Sequence, residues 1–593
     1  MAKSSIMNYF IMLAIFLIIS SCSKKDNEIK ETDINGTKII VDLKGIAGGQ
    51  TQELIKASQR KSSRASMNLV SEQVISGEEM DFLVEVGLKS KKSVSDNKTD
   101  NTINTKAVAA QTSLLTTSPV DLGVKYRLLI YDFNTNMLVK DLIGASGVKQ
   151  EIAIDAGKKY KWYAFSVNSA ELPDLVGNVI SSQDLVNKDF LFDSGTLDAI
   201  NGDNFIGVIF ARKTTRIIHA VDVRGLFGTL NNNSTIALGT NVGGTFSSIF
   251  ETGDFNIVTG EFSNFKKIES FTGNSWNILS PSDGKQGAVK YVVAYSSRPI
   301  NVSENGLITK FTNLSILMDD PLVNNIYKNR TWTNMSVPIK NTALTLSLGD
   351  EVYINTRPVE SGIQLGQRTT NMAGYQPGPT YWARTNLYYD ATAADKYKFR
   401  ADNESYTGFN QALAFTDFWN WGAETPGGAN VNVDPCRRVY PLETWRMPTE
   451  EEFMSLGNFD AASSYGMYSG GSMYATVREL ESGTESLSYP QRSRKLWLFF
   501  NGYRDSNGTL QEAYPVDRSN LNPAPAKPIK GGSHWFYSGQ SPTGAWSNFY
   551  DGGLHEWFDG SSIKTSNSYG KKQMGAIPNV AFEIRCVRNI LHN

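Results

Sequence analysis

The sequence predicts a mainly β protein, with two antiparallel β-sandwich units followed by a separate α+β unit. Short runs of β-branched and aromatic residues alternate with turns rich in Gly, Asn, Asp and Ser, and long amphipathic helical patterns are scarce. Eight of the eleven tryptophans and sixteen of the twenty-five tyrosines follow residue 361. This shift in composition places a domain boundary near residue 361.

The N-terminus predicts a secretion signal that ends at a lipid attachment site. Lys3 precedes an apolar run from Phe10 to Ile19, which is too short to span a bilayer because spanning takes roughly 20 residues. The run ends in Ile-Ser-Ser-Cys22, which resembles a bacterial lipobox. We therefore expect a signal peptide over residues 1–21 and acylation of Cys22; an ordinary signal peptide with an incidental cysteine is the alternative.

The segment after Cys22 indicates where in the cell envelope the protein is located. It is short and charged, Ser-Lys-Lys-Asp-Asn-Glu28, and resembles that of lipoproteins exported to the outer face of the outer membrane in Bacteroidota. After residue 22 no apolar run is long enough to cross a membrane. We expect a protein anchored to the cell outer membrane by lipid and exposed at the surface.

Length and charge narrow the function classes. A mature chain of about 570 residues is too long for one core and predicts three or four domains. Lys+Arg total 58 and Asp+Glu total 59, so no basic excess favours binding to nucleic acid through phosphates.

Predicted strands occupy much of the chain before residue 360. They are Thr37–Leu43, Phe82–Leu88, Tyr126–Tyr131, Tyr160–Val167, Phe205–Phe210, Ile217–Val223, Val289–Ala294 and Val337–Leu348. The polar stretch Lys89–Lys106 has almost no apolar side chains and predicts a solvated loop. We expect first strands and this loop within 22–108, sandwich units over 109–235 and 236–360, and a C-terminal unit over 361–593.

Residues 123–168 carry a family resemblance. A strand with Tyr126, Leu128 and Ile130 on one face is followed by an Asn-rich turn, a second strand ending at Asp155-Ala-Gly-Lys158, and an aromatic strand. This order resembles the fimbrillin family of type V pilus subunits and ancillary proteins, and residues 211–219 fit their first domain. The resemblance covers roughly residues 30–360 and implies transthyretin-like sandwiches; a sandwich of unrelated ancestry is the alternative.

The fimbrillin resemblance implies assembly by strand exchange. In that family an arginine-specific protease removes the first strand, and the exposed groove accepts a strand from a neighbouring pilus subunit. Here the predicted strand Thr37–Leu43 precedes the basic, Ser-rich stretch Gln-Arg60-Lys-Ser-Ser-Arg64-Ala. Arg64 is the candidate cleavage site, with Arg60 as the second choice; a flexible linker that is never cut is the alternative.

The C-terminal third contains a helix-start motif and several aromatic segments. In Trp445-Arg-Met-Pro-Thr-Glu-Glu-Glu-Phe453, Thr449 and Glu452 form a capping box that predicts a short helix with Phe453 and Leu456 inward. Further segments predict strands or fit the same family, at 381–387, 418–422, 531–535, 544–546 and Phe582–Arg588. Together they resemble the Fibrobacter-type major paralogous domain, which implies a C-type-lectin-like fold from about residue 370 onward.

That lectin-like resemblance also implies a disulfide. The fold joins the segment before its first helix to its last strand, so Cys436 and Cys586 are the expected partners, and an extracytoplasmic location permits the bond. The alternative is a catalytic thiol, as in the related sulfatase-modifying enzymes. Those enzymes need a copper-binding cysteine pair, whereas fold closure already accounts for both cysteines here.

The sequence contains few residue patterns that indicate catalysis or cofactor binding. The four histidines lack metal-ligand spacing, and His219 lies in an apolar strand where a core role is expected. The sequence shows no phosphate-binding loop, no nucleophile motif and none of the calcium signatures of sugar-binding C-type lectins. We therefore expect no cofactor, no metal and no enzyme activity.

The aromatic surplus of the last third has two interpretations. Large aromatic side chains can fill the core of a loop-rich domain. Alternatively some are exposed and form a platform for a glycan or protein ligand. The candidates for that platform are Trp419, Trp421, Tyr537, Trp546 and Trp557.

These observations predict a surface lipoprotein that acts in adhesion as an ancillary or tip component of a fimbrial assembly. The chain ends at Asn593, soon after the expected last strand, which leaves no strand to donate onward and is compatible with a tip position. The alternative is a glycan-binding lipoprotein of a polysaccharide-uptake system.

Overall fold

The computed structural model describes residues 36–47, 67–76, 80–89, 117–271, 275–279, 285–320, 328–368, 377–401, 416–420, 422–455, 462–468, 471–479, 495–499, 503–504, 507–511, 530–536, 544–550, 571–574 and 581–589. Strands dominate these residues, so the protein is mainly β, as the sequence predicts. Within these ranges, no helix has both the length and the apolar character needed to cross a membrane. Apart from Lys89, the predicted polar loop lies outside them.

Twelve strands lie in the described residues up to 212. They are β1 (Lys38–Ala47), β2 (Met67–Ile75), β3 (Met80–Lys89), β4 (Thr117–Ser118), β5 (Lys125–Asp132), β6 (Leu138–Ala145), β7 (Gln150–Ala153), β8 (Lys159–Ser166), β9 (Leu175–Val176), β10 (Val179–Ile180), β11 (Leu191–Asp198) and β12 (Asp203–Arg212).

Eight of these strands form one sheet, which we name the N-terminal unit. Its order is β4-β1-β12-β11-β8-β5-β6, and β7 also pairs with β1. The predicted inward face of β5 is confirmed, because Tyr126, Leu128 and Ile130 are buried in one core with side chains of β1, β8 and β12. On the opposite face Leu129 and Phe165 lie in a second apolar cluster.

Thirteen further strands lie between residues 215 and 360. They are β13 (Thr215–Asp222), β14 (Gly228–Leu230), β15 (Thr235–Val242), β16 (Thr245–Ser248), β17 (Glu251–Asn256), β18 (Glu261–Lys267), β19 (Asn277–Leu279), β20 (Val289–Ser296), β21 (Ile300–Val302), β22 (Leu307–Met318), β23 (Asn329–Ile339), β24 (Leu344–Leu346) and β25 (Glu351–Glu360).

Two sheets contribute to the core of what we name the central unit. One has the order β19-β20-β13-β25-β3-β2, and the other has β14-β22-β15-β16 with β23 beside β22. Side chains of both sheets meet in one apolar cluster, for example Val84 and Ile354 from the first and Phe311 and Ile339 from the second.

The strands are distributed differently from the predicted ranges. The hairpin β2–β3 and the strand β13 belong to the central unit, and the predicted boundary after residue 235 falls inside β15. Every residue of β13 except Arg216 is buried, so its side chains show no alternation that would reveal which sheet it joins. The predicted run Val337–Leu348 is also two strands, since the chain turns at Asn341 with φ +51°.

The described residues after 360 form short strands and one short helix, which we name the C-terminal unit. The strands are β26 (Ile363–Arg368), β27 (Gly378–Trp382), β28 (Leu387–Tyr389), β29 (Tyr397–Phe399), β30 (Trp419–Asn420), β31 (Trp445–Arg446), β32 (Ala462–Tyr468), β33 (Gly471–Glu479), β34 (Lys495–Phe499), β35 (Tyr503–Arg504), β36 (Leu510–Gln511), β37 (Lys530–Phe536), β38 (Gly544–Tyr550), β39 (Lys571–Met574), β40 (Ala581–Phe582) and β41 (Val587–Arg588), and the helix is α1 (Glu450–Ser455).

The pairing at the C-terminus corrects one prediction. The expected closing strand Phe582–Arg588 is divided into β40 and β41, which join different sheets. Between them Glu583 and Arg585 are fully buried, and Arg585 donates to Asn386 and to the Ala383 and Arg384 carbonyls. These hydrogen bonds supply the partners that the buried charge of Arg585 requires.

Candidate functional site

The first described strand, β1, is paired along both of its edges. It runs parallel to β12, with register from Lys38 opposite Asp203 to Ile46 opposite Phe210. Its other edge pairs antiparallel with β7 in the first half and with β4 in the second. The earliest described strand is thus an interior strand of its sheet.

Alternate side chains of β1 enter the core of the N-terminal unit. Ile39, Val41 and Ile46 are buried there, and Leu43 is partly buried against them. Asp42 and Lys44 are exposed and form an ion pair on the outer face. Because strand side chains alternate, the inward side chains of β1 occupy a row of apolar pockets on one face of the sheet. We name these pockets, together with the strand edges that pair with β1, the β1 seat.

A bulge interrupts this alternation near the end of β1. The register with β12 shifts between Leu43 and Gly45, so that Lys44 has no partner residue and Ile46 becomes the next inward side chain. Gly45 has φ +134°, a conformation that L side chains rarely adopt. A Cβ there would overlap the Ser118 carbonyl oxygen and come within 3.2 Å of Thr117 Cβ.

Polar contacts hold the start of β1. The Lys38 N–H donates to the Gly202 carbonyl at 3.1 Å, and the Thr37 carbonyl accepts from the Ile154 N–H at 3.0 Å. The Lys38 ammonium donates to Glu151 at 2.9 Å, which raises the pKa of Lys38. This ion pair is partly exposed and contributes little stability, so the buried apolar side chains account for most of the binding of β1.

The predicted processing residues lie on either side of β1 in the sequence. Cys22, Arg60 and Arg64 are all outside the described residues. Residues 48–66, which contain both arginines, connect β1 in the N-terminal unit to β2 in the central unit.

A buried polar cluster joins the central and C-terminal units. The Arg224 guanidinium donates to Asp222 within the central unit and to the Tyr440 hydroxyl at 2.7 Å. The Tyr440 hydroxyl in turn donates to the Asp222 carboxylate. Burial raises the pKa of Tyr440 well above its ordinary value, which keeps this donor protonated.

A second buried cluster crosses the same joint. Arg400 donates to Asp320 of the central unit at 2.8 Å and to both carboxylate oxygens of Asp417. Lys398, whose side chain is fully buried, donates to Asp319 at 2.8 Å. A single apolar core also spans both units, so that Phe227 packs edge to face on Phe399.

The helix-start motif of the C-terminal unit forms as predicted. The Thr449 N–H donates to Glu452 at 2.7 Å, and the Glu452 N–H donates to the Thr449 hydroxyl at 3.3 Å. Arg446 adds a contact that we did not predict, a buried two-point ion pair with Glu452 at 2.8 and 2.6 Å. Phe453 lies in α1 but its side chain is not among those described, and Leu456 is outside the described residues.

Cys436 and Cys586 are joined by a disulfide, the pairing that the lectin-like resemblance implies. Cys436 lies in a short 3₁₀ segment, Pro435–Arg438, capped by Asp434. Both cysteines are fully buried in the shared core. The bond ties the segment before α1 to the residue that directly precedes the last described strand, β41.

The prediction that Trp419 belongs to an exposed aromatic platform is wrong. Its side chain is fully buried, with Tyr397 stacked on it and Tyr389 edge-on, so it cannot contact a ligand at the surface. Trp421, Tyr537 and Trp557 are outside the described residues, and Trp546 lies in β38 without a described side chain.

His219 has the predicted core role. It is buried in β13 with Nε2 2.9 Å from the Thr356 hydroxyl, and burial lowers the pKa of its imidazole to about 3. No group of three or more metal-ligating side chains occurs within the described ranges.

Comparison with known proteins gives weak similarities. No protein-family model and no curated protein matches the chain. Among solved structures it is similar to a candidate cell adhesion protein from Bacteroides fragilis, with 14% identity, 43% of this chain and 87% of that chain covered, and a TM-score of 0.27. It is also similar to the fimbrial anchor protein Mfa2 from Porphyromonas gingivalis, with 10% identity, coverage of 33% and 71%, and a TM-score of 0.17.

Proposed function

We propose that the protein is a surface lipoprotein that acts in adhesion as an ancillary or tip component of a fimbrial assembly. In this proposal the N-terminal and central units are transthyretin-like sandwiches of the fimbrillin type. The C-terminal unit is lectin-like and meets a glycan or protein ligand.

The position of β1 is the observation that carries the proposal. It is the first described strand, an interior strand of its sheet, and is followed by a connection that contains Arg60 and Arg64. Cutting this connection would leave β1 held only by hydrogen bonds and by the burial of side chains such as Ile39, Val41 and Ile46. A strand held in this way can be exchanged.

Loss of β1 would create an acceptor site. The edges of β12, β7 and β4 would present unpaired backbone groups, and the apolar pockets would open to water. Unpaired strand edges and water-exposed apolar pockets are both unfavourable. They therefore favour the addition of a new strand. A strand from a neighbouring pilus subunit is the proposed occupant.

Cleavage would also separate the protein from its proposed anchor. Cys22 precedes both arginines, so the lipid would hold the uncut precursor at the outer membrane. After cleavage the inserted strand, rather than the lipid, would retain the protein on the surface.

The joint between the central and C-terminal units supports a role in presentation. Buried ion pairs and a shared core fix the orientation of the C-terminal unit on the central unit. A ligand-binding unit held rigidly on the central unit is suited to the end of a filament.

Immunogold labelling of intact cells with an antibody to the C-terminal unit tests the proposal, with a strain lacking the gene as control. Gold particles on filaments, together with denaturant-resistant but non-covalent complexes on unheated gels, are the expected result. A uniform coat with no filament association and only monomer on the gels would contradict it.

A further inference from the structure

The seat of β1 constrains the sequence of any strand that replaces it. The inward positions are those of Ile39, Val41, Leu43 and Ile46, which follow one another at intervals of two, two and three positions. The wider last interval comes from the bulge at Lys44. A strand with uninterrupted alternation would therefore place its fourth apolar side chain away from the core.

The same seat fixes the direction of the strand. Eight residue pairs, from Lys38 to Ile46, align β1 parallel to β12, while β7 and β4 pair with it antiparallel. Reversing the strand would exchange parallel for antiparallel hydrogen bonding on both edges. It would also move the bulge to the wrong end.

Gly45 imposes the strictest requirement. The neighbour that a Cβ would meet is the backbone of Ser118 in β4, which cannot rotate away as a flexible side chain could. Its φ of +134° adds backbone strain for any residue with a side chain. The restriction therefore has two independent physical causes at one position.

We propose that the β1 seat selects its donor strand by a glycine: the incoming segment must follow the pattern apolar-x-apolar-x-apolar-x-Gly-apolar, parallel to β12. The partner is thus a subunit with an extended segment of this pattern, which would discriminate it from other alternating apolar strands. This inference rests on the proposed strand exchange and adds the rule for partner choice.

Peptide exchange tests the rule. The full chain, with a site-specific protease sequence in place of residues 60–64, is cut, and a fluorescent peptide of residues 38–47 is added. Binding is followed by fluorescence anisotropy. Three further peptides carry Gly45→Ala, an exchange of Lys44 with Gly45 that keeps the composition, and Asp42→Asn on the exposed face as the matched control.

The native and Asp42→Asn peptides are expected to bind with equal Kd, and the other two about tenfold more weakly or worse. Equal binding of the Gly45→Ala peptide would overturn the glycine rule and leave strand exchange intact. Failure of every peptide, the native one included, to enter the cut protein would overturn strand exchange itself and the rule with it.

Discussion

The guanidinium carbon of Arg224 lies 3.8 Å from the ring centroid of Tyr440, and the same guanidinium donates a hydrogen bond to the Tyr440 hydroxyl. The two residues are 216 positions apart and belong to different units. Their contact, with Asp222 as the shared acceptor, is one of the buried contacts that hold the C-terminal unit to the central unit.

Tyr440→Phe should destabilise the protein by about 1–3 kcal/mol, because buried Asp222 and Arg224 each lose a hydrogen-bond partner. Urea denaturation of the full chain measures the change. Tyr131→Phe is the control, since its hydroxyl makes one long, exposed contact of 3.4 Å with Asn178. This substitution should change stability by less than about 0.5 kcal/mol. If both substitutions changed the stability equally, the Tyr440 contacts would not hold the C-terminal unit to the central unit.

Arg400→Met should cost about 3–5 kcal/mol, because Asp320 and Asp417 would remain buried without their cation. Arg438→Met removes an ion pair with Glu424 in which both side chains are about half exposed, so its cost should stay below about 1 kcal/mol. Thermal unfolding of both variants gives the comparison. A loss of similar size in the two would show that burial does not strengthen the Arg400 contacts.

His219 should make stability depend on pH. Its pKa is about 3 in the folded protein and 6.5 when unfolded, so only the unfolded state binds the proton between these values. Its contribution is complete above pH 6.5 and is lost as pH falls, by up to about 1.4 kcal/mol per pH unit.

His219→Gln should remove that dependence while keeping a hydrogen-bonding group near Thr356. Denaturation midpoints of the native protein and the His219→Gln variant are measured between pH 5 and 7.5. All other titrating groups are common to the two proteins, so their effects cancel in the difference. If the difference between them does not change with pH, the buried neutral imidazole is excluded.

Replacing both Cys436 and Cys586 by serine should destabilise the protein by up to about 5 kcal/mol, because the bond closes a loop of 150 residues. Dithiothreitol should lower the stability of the native protein but leave the double variant unchanged. The same response of both proteins to the reductant would contradict a stabilising disulfide.

Cys22→Ser should abolish incorporation of labelled palmitate into the precursor. Cys436→Ser, which changes another cysteine, is the control and should still be labelled. Label in the Cys22→Ser protein would place the acylation elsewhere or exclude it.

Much of the local structure could be predicted from sequence, because it depends on neighbouring residues. The alternation in β5 identified its buried face, and the spacing of Thr449 and Glu452 identified the capping box. The core role of His219 followed from its apolar neighbours.

Long-range pairing could not be predicted in the same way. Nothing in the run Lys38–Ala47 indicates that it pairs in parallel with a strand more than 160 residues later, or that Gly45 lies against Ser118. The buried partners of Arg400 also come from other segments, with Asp417 17 positions and Asp320 80 positions away, and a charged residue in a loop gives no sequence signal of burial. Trp419 was misassigned for the same reason, since exposure depends on what packs over a side chain.

The N-terminus of the protein extracted from the cell surface tests the central claim most directly. Mass-spectrometric mapping should find a chain that begins at Ala65, or at Lys61 if Arg60 is the site, with β1 absent from the covalent chain. A surface population that begins at an acylated Cys22 and retains residues 38–47 would contradict strand removal.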